Sequence, residues 1–228
     1  MDEEAKAVQE IAKATGKGLD AAREAGGFIA RFISGPLEEA MGIFEDRLKY
    51  LRWERQVRLM QRSEQFLSEV GLSKPTRAVP LKIAVPLLQG ASLEENNELQ
   101  DRWAALLVNA ANANSGVDIH RSFIEILGQV SPLEAKILDT LYSLPFEEAR
   151  HAGFSTDSLP ESSRILGENE DPTTQPTEEV ALALGNLSRL GCIKIPATWG
   201  GGESFASVNP TILGFAFVRA CTLKLRTS

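Results

Sequence analysis

Apolar side chains recur every three or four positions through the first 130 residues of this 228-residue chain, and this spacing is the period of an α-helix. The longest predicted helix covers about residues 36–71. Pro36 suits a first helical position, and neither Gly nor Pro follows Ile43 until Gly71. Only helical periods are found before residue 131. We therefore predict an all-helical domain over residues 1–130.

Three shorter helices are predicted after the long one. The first covers residues 81–88, with a kink or restart at Pro86 and an end at Gly90. Ser92-Leu93-Glu94-Glu95 has the Ser-x-x-Glu spacing of a capping box, which predicts the start of the second helix. The third covers residues 119–129.

The pattern changes in the second part of the chain. Ser131-Pro132-Leu133-Glu134 combines an N-cap, a proline at the first helical position and a capping-box glutamate, so it predicts a strong helix start. Another helix is predicted from Thr177 to Gly191. Between these two helices, residues 146–176 are rich in Gly, Pro, Asp and Glu. They predict an acidic loop that holds at most a short helix near residues 155–166.

Beyond Gly191 the apolar period becomes that of a strand. Residues 192–196 and 204–208 are two short β-like runs joined through Gly200-Gly201-Gly202, and they predict a hairpin. Pro196 places the first of these strands at a sheet edge. Helical spacing resumes after Pro210. Residues 131–228 are therefore predicted as a winged-helix-like α+β module with one β-hairpin, and the whole chain as mainly α.

Charge is distributed unevenly along the chain. The 24 Lys and Arg stand against 31 Asp and Glu, a formal net charge of −7 that argues against sequence-independent binding of nucleic acid. Residues 45–62 differ from the chain as a whole, because they contain six cations and three anions. Their arginines are the predicted partner-binding residues, and the alternative is an ordinary solvated helical face. These candidates are Arg52, Arg55, Arg58 and Arg62.

A stripe of small and apolar residues at helical spacing runs through residues 5–33. It predicts docking on another helix, in this chain or in a second copy. The alternative is peripheral membrane contact, which would make the protein a membrane-perturbing, toxin-like effector. The sequence has no signal-peptide pattern and no apolar run that could span a bilayer, so we expect a cytoplasmic protein. Cys192 and Cys221 lie in apolar surroundings typical of reduced, buried thiols, although the sequence leaves a disulfide between them open.

No catalytic constellation is found in the sequence. His120 and His151 are its two imidazoles, and neither belongs to a recognisable catalytic motif. The two His and two Cys lack the short paired spacing of a zinc site. The triple glycine does not precede a helix as a phosphate loop does. We therefore predict a protein that is not an enzyme and that needs no metal or cofactor.

The winged-helix-like pattern raises DNA binding as an alternative function. The reading helix would lie before the hairpin, and its base-reading residues would be Asn186, Ser188 and Arg189. That helix carries Glu178 and Glu179, whereas a groove reader normally presents several cations to phosphates. Nucleic acid is therefore a less favoured partner than protein.

Several short motifs occur in an order that resembles one protein family. They are Gly35-Pro36-Leu37-Glu38-Glu39, the run from Leu99 to Leu107, Ser131-Pro132-Leu133-Glu134-Ala135, Leu187-Ser188-Arg189-Leu190-Gly191, and Asn209-Pro210-Thr211-Ile212-Leu213-Gly214 before Ala220-Cys221. Their order resembles the abortive infection alpha family of bacterial proteins over nearly the whole chain. The resemblance implies an antiphage role, in which an infected cell arrests or dies before phage is released. We predict action through protein contacts, with another protein, a second copy or a phage component as the partner.

Overall fold

The computed structural model describes residues 27–28, 31–34, 53–168, 170–196 and 202–223. The fold of these residues is mainly α with a small β module, as predicted. Its helices are α1 (Trp53–Glu69), α2 (Leu81–Leu93), α3 (Asn97–Ala111), α4 (Arg121–Leu127), α5 (Pro132–Tyr142), α6 (Phe146–Ala152), α7 (Glu178–Arg189) and α8 (Ile212–Ala220). Its strands are β1 (Ile33–Ser34), β2 (Val79–Pro80), β3 (Phe154–Ser155), β4 (Ile193–Lys194) and β5 (Ser207–Pro210).

Helix α3 is the centre of the fold. It contacts α1 and α2 on one side and α5 and α8 on the other. Its Trp103, Leu106 and Leu107 are at most 1% exposed, and they belong to a core that includes residues from both sides of position 130. At the end of the helix, the Asn109 amide donates hydrogen bonds of 2.8 Å to the Ala220 carbonyl and 3.0 Å to the Thr222 carbonyl. This side chain therefore fixes the end of α8 to α3.

The predicted boundary between α2 and α3 is wrong. Ser92 does not cap a helix: it is buried in the last turn of α2, where its hydroxyl donates to the Leu88 carbonyl at 2.7 Å. The N-cap of α3 is Asn96, whose side-chain oxygen accepts from the backbone of Glu98 and Leu99. Gly90 lies inside α2 and does not end it. A glycine is needed there because the Trp103 ring occupies the space of a side chain.

The predicted helix starts in the second part of the chain are confirmed. Ser131 and Glu134 form both hydrogen bonds of a capping box at the start of α5. Thr177 caps α7 by accepting from the Val180 amide. Gly191, with φ of 75°, ends α7 as predicted, in a left-handed conformation that glycine adopts without strain.

The predicted antiparallel pairing of two strands after Gly191 is confirmed, with the second strand at Ser207–Pro210 and not at residues 204–208, while Gly200 and Gly201 of the predicted tip lie outside the described residues. Strand β4 pairs antiparallel with β5, with Ile193 opposite Pro210 and Lys194 opposite Asn209. The sheet order is β3-β5-β4, so β4 is an edge strand, as Pro196 predicts.

The acidic segment 146–176 is more ordered than predicted at its start. It contains α6 over Phe146–Ala152 and the third sheet strand, β3, whereas the short helix expected near residues 155–166 is absent from that described range. In its place, Ile165 bridges back to Phe154. The Gly and Pro content of the segment is that of a loop, but Phe154, the apolar residue of β3, is 0% exposed and belongs to the core.

A hydrogen-bonded tyrosine joins α5, β4 and α8. The Tyr142 hydroxyl donates to the Cys192 carbonyl and accepts from the Thr211 amide at 3.0 Å. Thr211 in turn caps α8 by accepting from the Gly214 amide at 2.9 Å. Burial raises the pKa of Tyr142 to about 12, so the phenol keeps its proton at neutral pH.

Only parts of two N-terminal predictions fall on described residues. Of residues 5–33, the structure describes 27–28 and 31–33, and there Phe28 and Phe32 are buried and stacked with ring centroids 4.4 Å apart. Arg31 pairs with Glu64 of α1, so this segment contacts α1. The predicted long helix is described from Trp53 onwards, and its first part lies outside the described residues.

Candidate functional site

Three of the four predicted partner-binding arginines lie between α1 and α3. Arg62 forms a bidentate ion pair with Asp101, with Nε 2.9 Å from Oδ1 and Nη2 2.6 Å from Oδ2. The Arg58 Nη1 atom lies 2.7 Å from the same carboxylate. One carboxylate of α3 therefore holds two guanidinium groups of α1. Arg52 lies outside the described residues.

Two amide side chains of α3 continue this contact toward the start of α1. The Asn97 oxygen accepts from Arg55 at 2.7 Å. Gln100 is 0% exposed, accepts from Arg58 at 3.1 Å, and donates to the carbonyls of Arg55 and Ala91. Gln100 therefore bonds to both α1 and α2. We call these three arginines with Asn97, Gln100 and Asp101 the arginine seam.

The arginine seam explains why cations occur at positions where a helical stripe predicts apolar residues. The Arg62 and Asp101 side chains are 27% and 30% exposed, so the pair is mostly shielded from water. Asp101 raises the pKa of Arg62, and the Arg62 guanidinium also lies 4.4 Å from the centre of the Phe66 ring. The charges of Arg58 and Arg62 are thus engaged inside the chain.

The candidate base-reading residues are also engaged inside the chain. The Asn186 amide donates to the Glu134 carboxylate at 2.7 Å and to the Gln129 carbonyl at 3.3 Å. The Arg189 guanidinium donates to the Gln129 side chain and to Asn186. Ser188 is half-buried. These contacts join α7 to the connection between α4 and α5.

The outward face of α7 presents an apolar side chain. Leu182 is 77% exposed, and Glu178 and Glu179 share its face because they lie four and three positions earlier on the helix. Ile212, in the first turn of α8, is 76% exposed. Its neighbour Leu213 lies beside Gly191, at the end of α7. We call Leu182 with Glu178 and Glu179 the α7 face.

A family model described as abortive infection alpha matches residues 54–221. The chain belongs to the abortive infection alpha family. This confirms the resemblance found in the motif order, and it implies a role in abortive infection, a form of antiphage defence. The matched region extends from α1 to α8, so this abortive infection alpha protein carries both the arginine seam and the α7 face within it. The comparisons with curated proteins and with solved structures found no match.

The two thiols of this abortive infection alpha protein are free and buried, as predicted. Burial raises the pKa of both Cys192 and Cys221 to about 12. The reactive form of a cysteine is the thiolate, so neither residue is a ready nucleophile at neutral pH. In the described part of the chain, no group of three or more His, Cys, Asp or Glu side chains is placed to hold a metal ion. None of the described helices has the length and apolar content needed to cross a membrane.

Sequence analysis did not identify the acceptor side of the arginine seam. Asn97, Gln100 and Asp101 follow the helical spacing i, i+3, i+4, and the arginines at 55, 58 and 62 on α1 follow i, i+3, i+7, so each set lies on one face of its helix. The signal was therefore a pair of matched polar stripes on two helices. Either stripe alone is indistinguishable from a solvated face, and the pairing appears only when the helices are placed side by side.

Replacing Asp101 by Asn should destabilise the protein by about 1–2 kcal/mol. The change leaves two half-buried guanidinium groups without their shared carboxylate, and the partial exposure keeps the loss below that of a fully buried pair. Thermal unfolding followed by circular dichroism measures this loss of stability. Asp118→Asn is the matched control, because Asp118 is exposed and makes no ion pair with a described residue. Equal stability of the two variants would contradict a structural role for the arginine seam.

Proposed function

We propose that this protein acts in abortive infection by binding another protein through the α7 face. The observation that carries the proposal is the 77% exposure of Leu182 on a helix whose other side is packed in the core. Three of the four large apolar side chains exposed among the described residues belong to this C-terminal part: Leu182, Ile212 and Leu213. Contiguous exposed apolar patches with a polar border are typical of protein contact surfaces.

The charge of the α7 face favours protein over nucleic acid. Glu178 and Glu179 would repel a phosphate backbone. Arg189, the cation of this helix, already donates to Gln129 and Asn186. The partner expected from this chemistry presents an apolar pocket with a basic border.

The same charges favour a different protein over a second copy of this chain. In a symmetric contact each α7 face would meet itself, and the glutamates of both copies would come together. Like charges brought together cost free energy in a contact of this kind. A phage component or another bacterial protein therefore suits the surface better. The arginine seam is less suited, since Arg58 and Arg62 share Asp101.

Leu182→Glu should reduce phage restriction at least tenfold while the protein stays folded. The substitution places a carboxylate where the partner's apolar pocket would be, and truncating or charging an interface anchor commonly costs more than 1 kcal/mol. Plating efficiency of phage on cells with the wild-type or variant gene measures the effect, and circular dichroism checks the fold.

Leu93→Glu is the matched control for this experiment. Leu93 is 68% exposed at the end of α2, so the same change is made at a leucine of similar exposure away from the α7 face. The proposal requires that Leu93→Glu restricts phage as the wild type does. Full restriction by Leu182→Glu, or an equal loss in both variants, would reject the α7 face as the contact.

The order of elements in the C-terminal part supports DNA binding as a second candidate. Helices α5 and α6, strand β3, helix α7 and the β4–β5 hairpin follow one another with sheet order β3-β5-β4, which is compatible with a winged-helix-like module. The test is a gel shift of the DNA upstream of the gene at low salt. A shift that is lost in Arg189→Glu and kept in Lys74→Glu, a charge change at an exposed lysine outside this module, favours this candidate, and no shift of the wild type rejects it.

A further inference from the structure

A basic cavity of about 480 Å³ lies between the start of α2 and the residues that lead into α4. Four of its lining side chains are Arg77, Lys82, His120 and Arg121, and one lining residue, Asp118, is acidic. Arg77, Lys82 and Arg121 bring three positive charges and Asp118 one negative charge, so the cavity has two net positive charges from these four residues. The chain as a whole has a net charge of −7, so this concentration of cations is local.

The Arg77 side chain is held in place by backbone carbonyls, and no carboxylate of a described residue pairs with its positive charge. Its Nε donates to the Ala110 carbonyl at 2.9 Å, and its Nη2 donates to the Asn109 carbonyl at 3.2 Å. Its backbone amide donates to the Ala111 carbonyl. The guanidinium is therefore fixed against the end of α3, and it keeps donors for a ligand, since arginine has five.

The other cations of the cavity are weakly engaged or free. Lys82 makes no hydrogen bond or ion pair with a described residue. Arg121 pairs with Glu125 one turn along α4, and the two side chains are 72% and 61% exposed, so water screens this pair. Both cations are available to a bound anion.

The cavity also offers an apolar surface. Pro80 and Ile119 present this surface beside the cations, and the buried side chains of Val79 and Ile83 lie behind it. Its volume lies within the roughly 300–1,000 Å³ of typical small-molecule sites. Lys82 and Ile83 belong to the first turn of α2. The N-cap of this helix, Pro80, makes no side-chain capping hydrogen bond. The positive end of the helix dipole therefore adds to the positive potential of the cations.

We propose that this cavity binds a phosphate-bearing small molecule of nucleotide size, with the phosphate at the cations and a ring on the apolar wall. A concave site of this volume fits a small anion, whereas a nucleic-acid duplex needs an extended basic surface. The proposal is independent of the α7 face, because the two surfaces share no residue.

Isothermal titration of the full chain with ATP, GTP, CTP and UTP, each by itself, tests the proposal. We expect at least one nucleotide to bind. Lys82→Glu should weaken its binding about tenfold, because the new carboxylate repels the phosphates. Asp118→Asn should strengthen its binding a few-fold, because the change removes a carboxylate that repels them. Lys194→Glu is the matched control, because it makes the same charge change on strand β4 and should leave the affinity unchanged.

Two further ligands show which part of a nucleotide the cavity recognises and whether it prefers a small molecule to a nucleic acid. Inorganic phosphate should bind more weakly than the best nucleotide, because it cannot use the apolar wall. A 5′-phosphorylated oligonucleotide serves as the macromolecular alternative. Absence of nucleotide binding at 1 mM, equal binding by Lys82→Glu and Lys194→Glu, or binding of the oligonucleotide alone would each overturn the proposal.

Discussion

Gly214→Ala should destabilise the protein by about 3 kcal/mol or more, because no space exists for the added methyl group. A Cβ atom at this position would overlap the Cys192 carbonyl oxygen and the Tyr142 hydroxyl, and it would lie 2.8 Å from the Cys192 carbonyl carbon. Neither neighbour can move away freely. Tyr142 is 9% exposed and hydrogen-bonded to both Cys192 and Thr211, while Cys192 is 0% exposed.

Thermal unfolding of the purified variant measures this loss. For a chain of this length, roughly 2–4 °C of melting temperature corresponds to 1 kcal/mol, so we expect a fall of about 6–12 °C. Gly185→Ala is the matched control: it lies inside α7, and nothing is within 4 Å of the Cβ that it would gain. That variant should be unchanged or more stable by about 0.5–1 kcal/mol. Similar melting temperatures for both variants would show that α8 is not packed against Cys192 as described.

Gly90→Ala should cost about 1–3 kcal/mol through a clash with a single buried ring. The added Cβ would overlap the outer edge of the Trp103 ring, including an approach of 2.8 Å to Cζ2. Trp103 is 1% exposed, so the ring cannot swing into solvent. The clash therefore forces α2 and α3 apart.

A double-mutant cycle separates this clash from the general cost of alanine at position 90. Trp103→Phe removes the outer ring atoms and leaves a cavity, so it is destabilising by itself. In Gly90→Ala/Trp103→Phe the new methyl group occupies part of that cavity. The double variant should therefore be more stable than the sum of the two single changes predicts, by about 1 kcal/mol or more. Strict additivity would contradict the direct contact.

Local sequence signals predicted the starts of α5 and α7 correctly but misplaced the start of α3. Ser131 with Pro132 and Glu134 had no rival nearby, and α5 starts there. Before α3 the capping-box spacing predicted Ser92, whereas the structure uses Asn96, and the sequence could not show that Ser92 would be buried with its hydroxyl bonded to Leu88. Burial is decided by tertiary packing, which a local motif does not contain.

The candidate sites depended on contacts between residues distant in the chain. Arg62 and Asp101 are 39 positions apart, and Arg58 and Gln100 are 42 apart. The positive charge of α1 was evident from composition, but its acceptors were not. Strand β3 was missed for the same reason, because a two-residue strand is defined by its partner β5 and not by its own pattern.

The Glu134 carboxylate divides its two oxygens between neighbouring helices. Oε2 accepts from the Ser131 amide and completes the cap of α5, while Oε1 accepts from Asn186 of α7. Any force that rotates α7 must pull on the residue that secures the first turn of α5. The orientation of α7 and the first turn of α5 are thus mechanically coupled through one side chain.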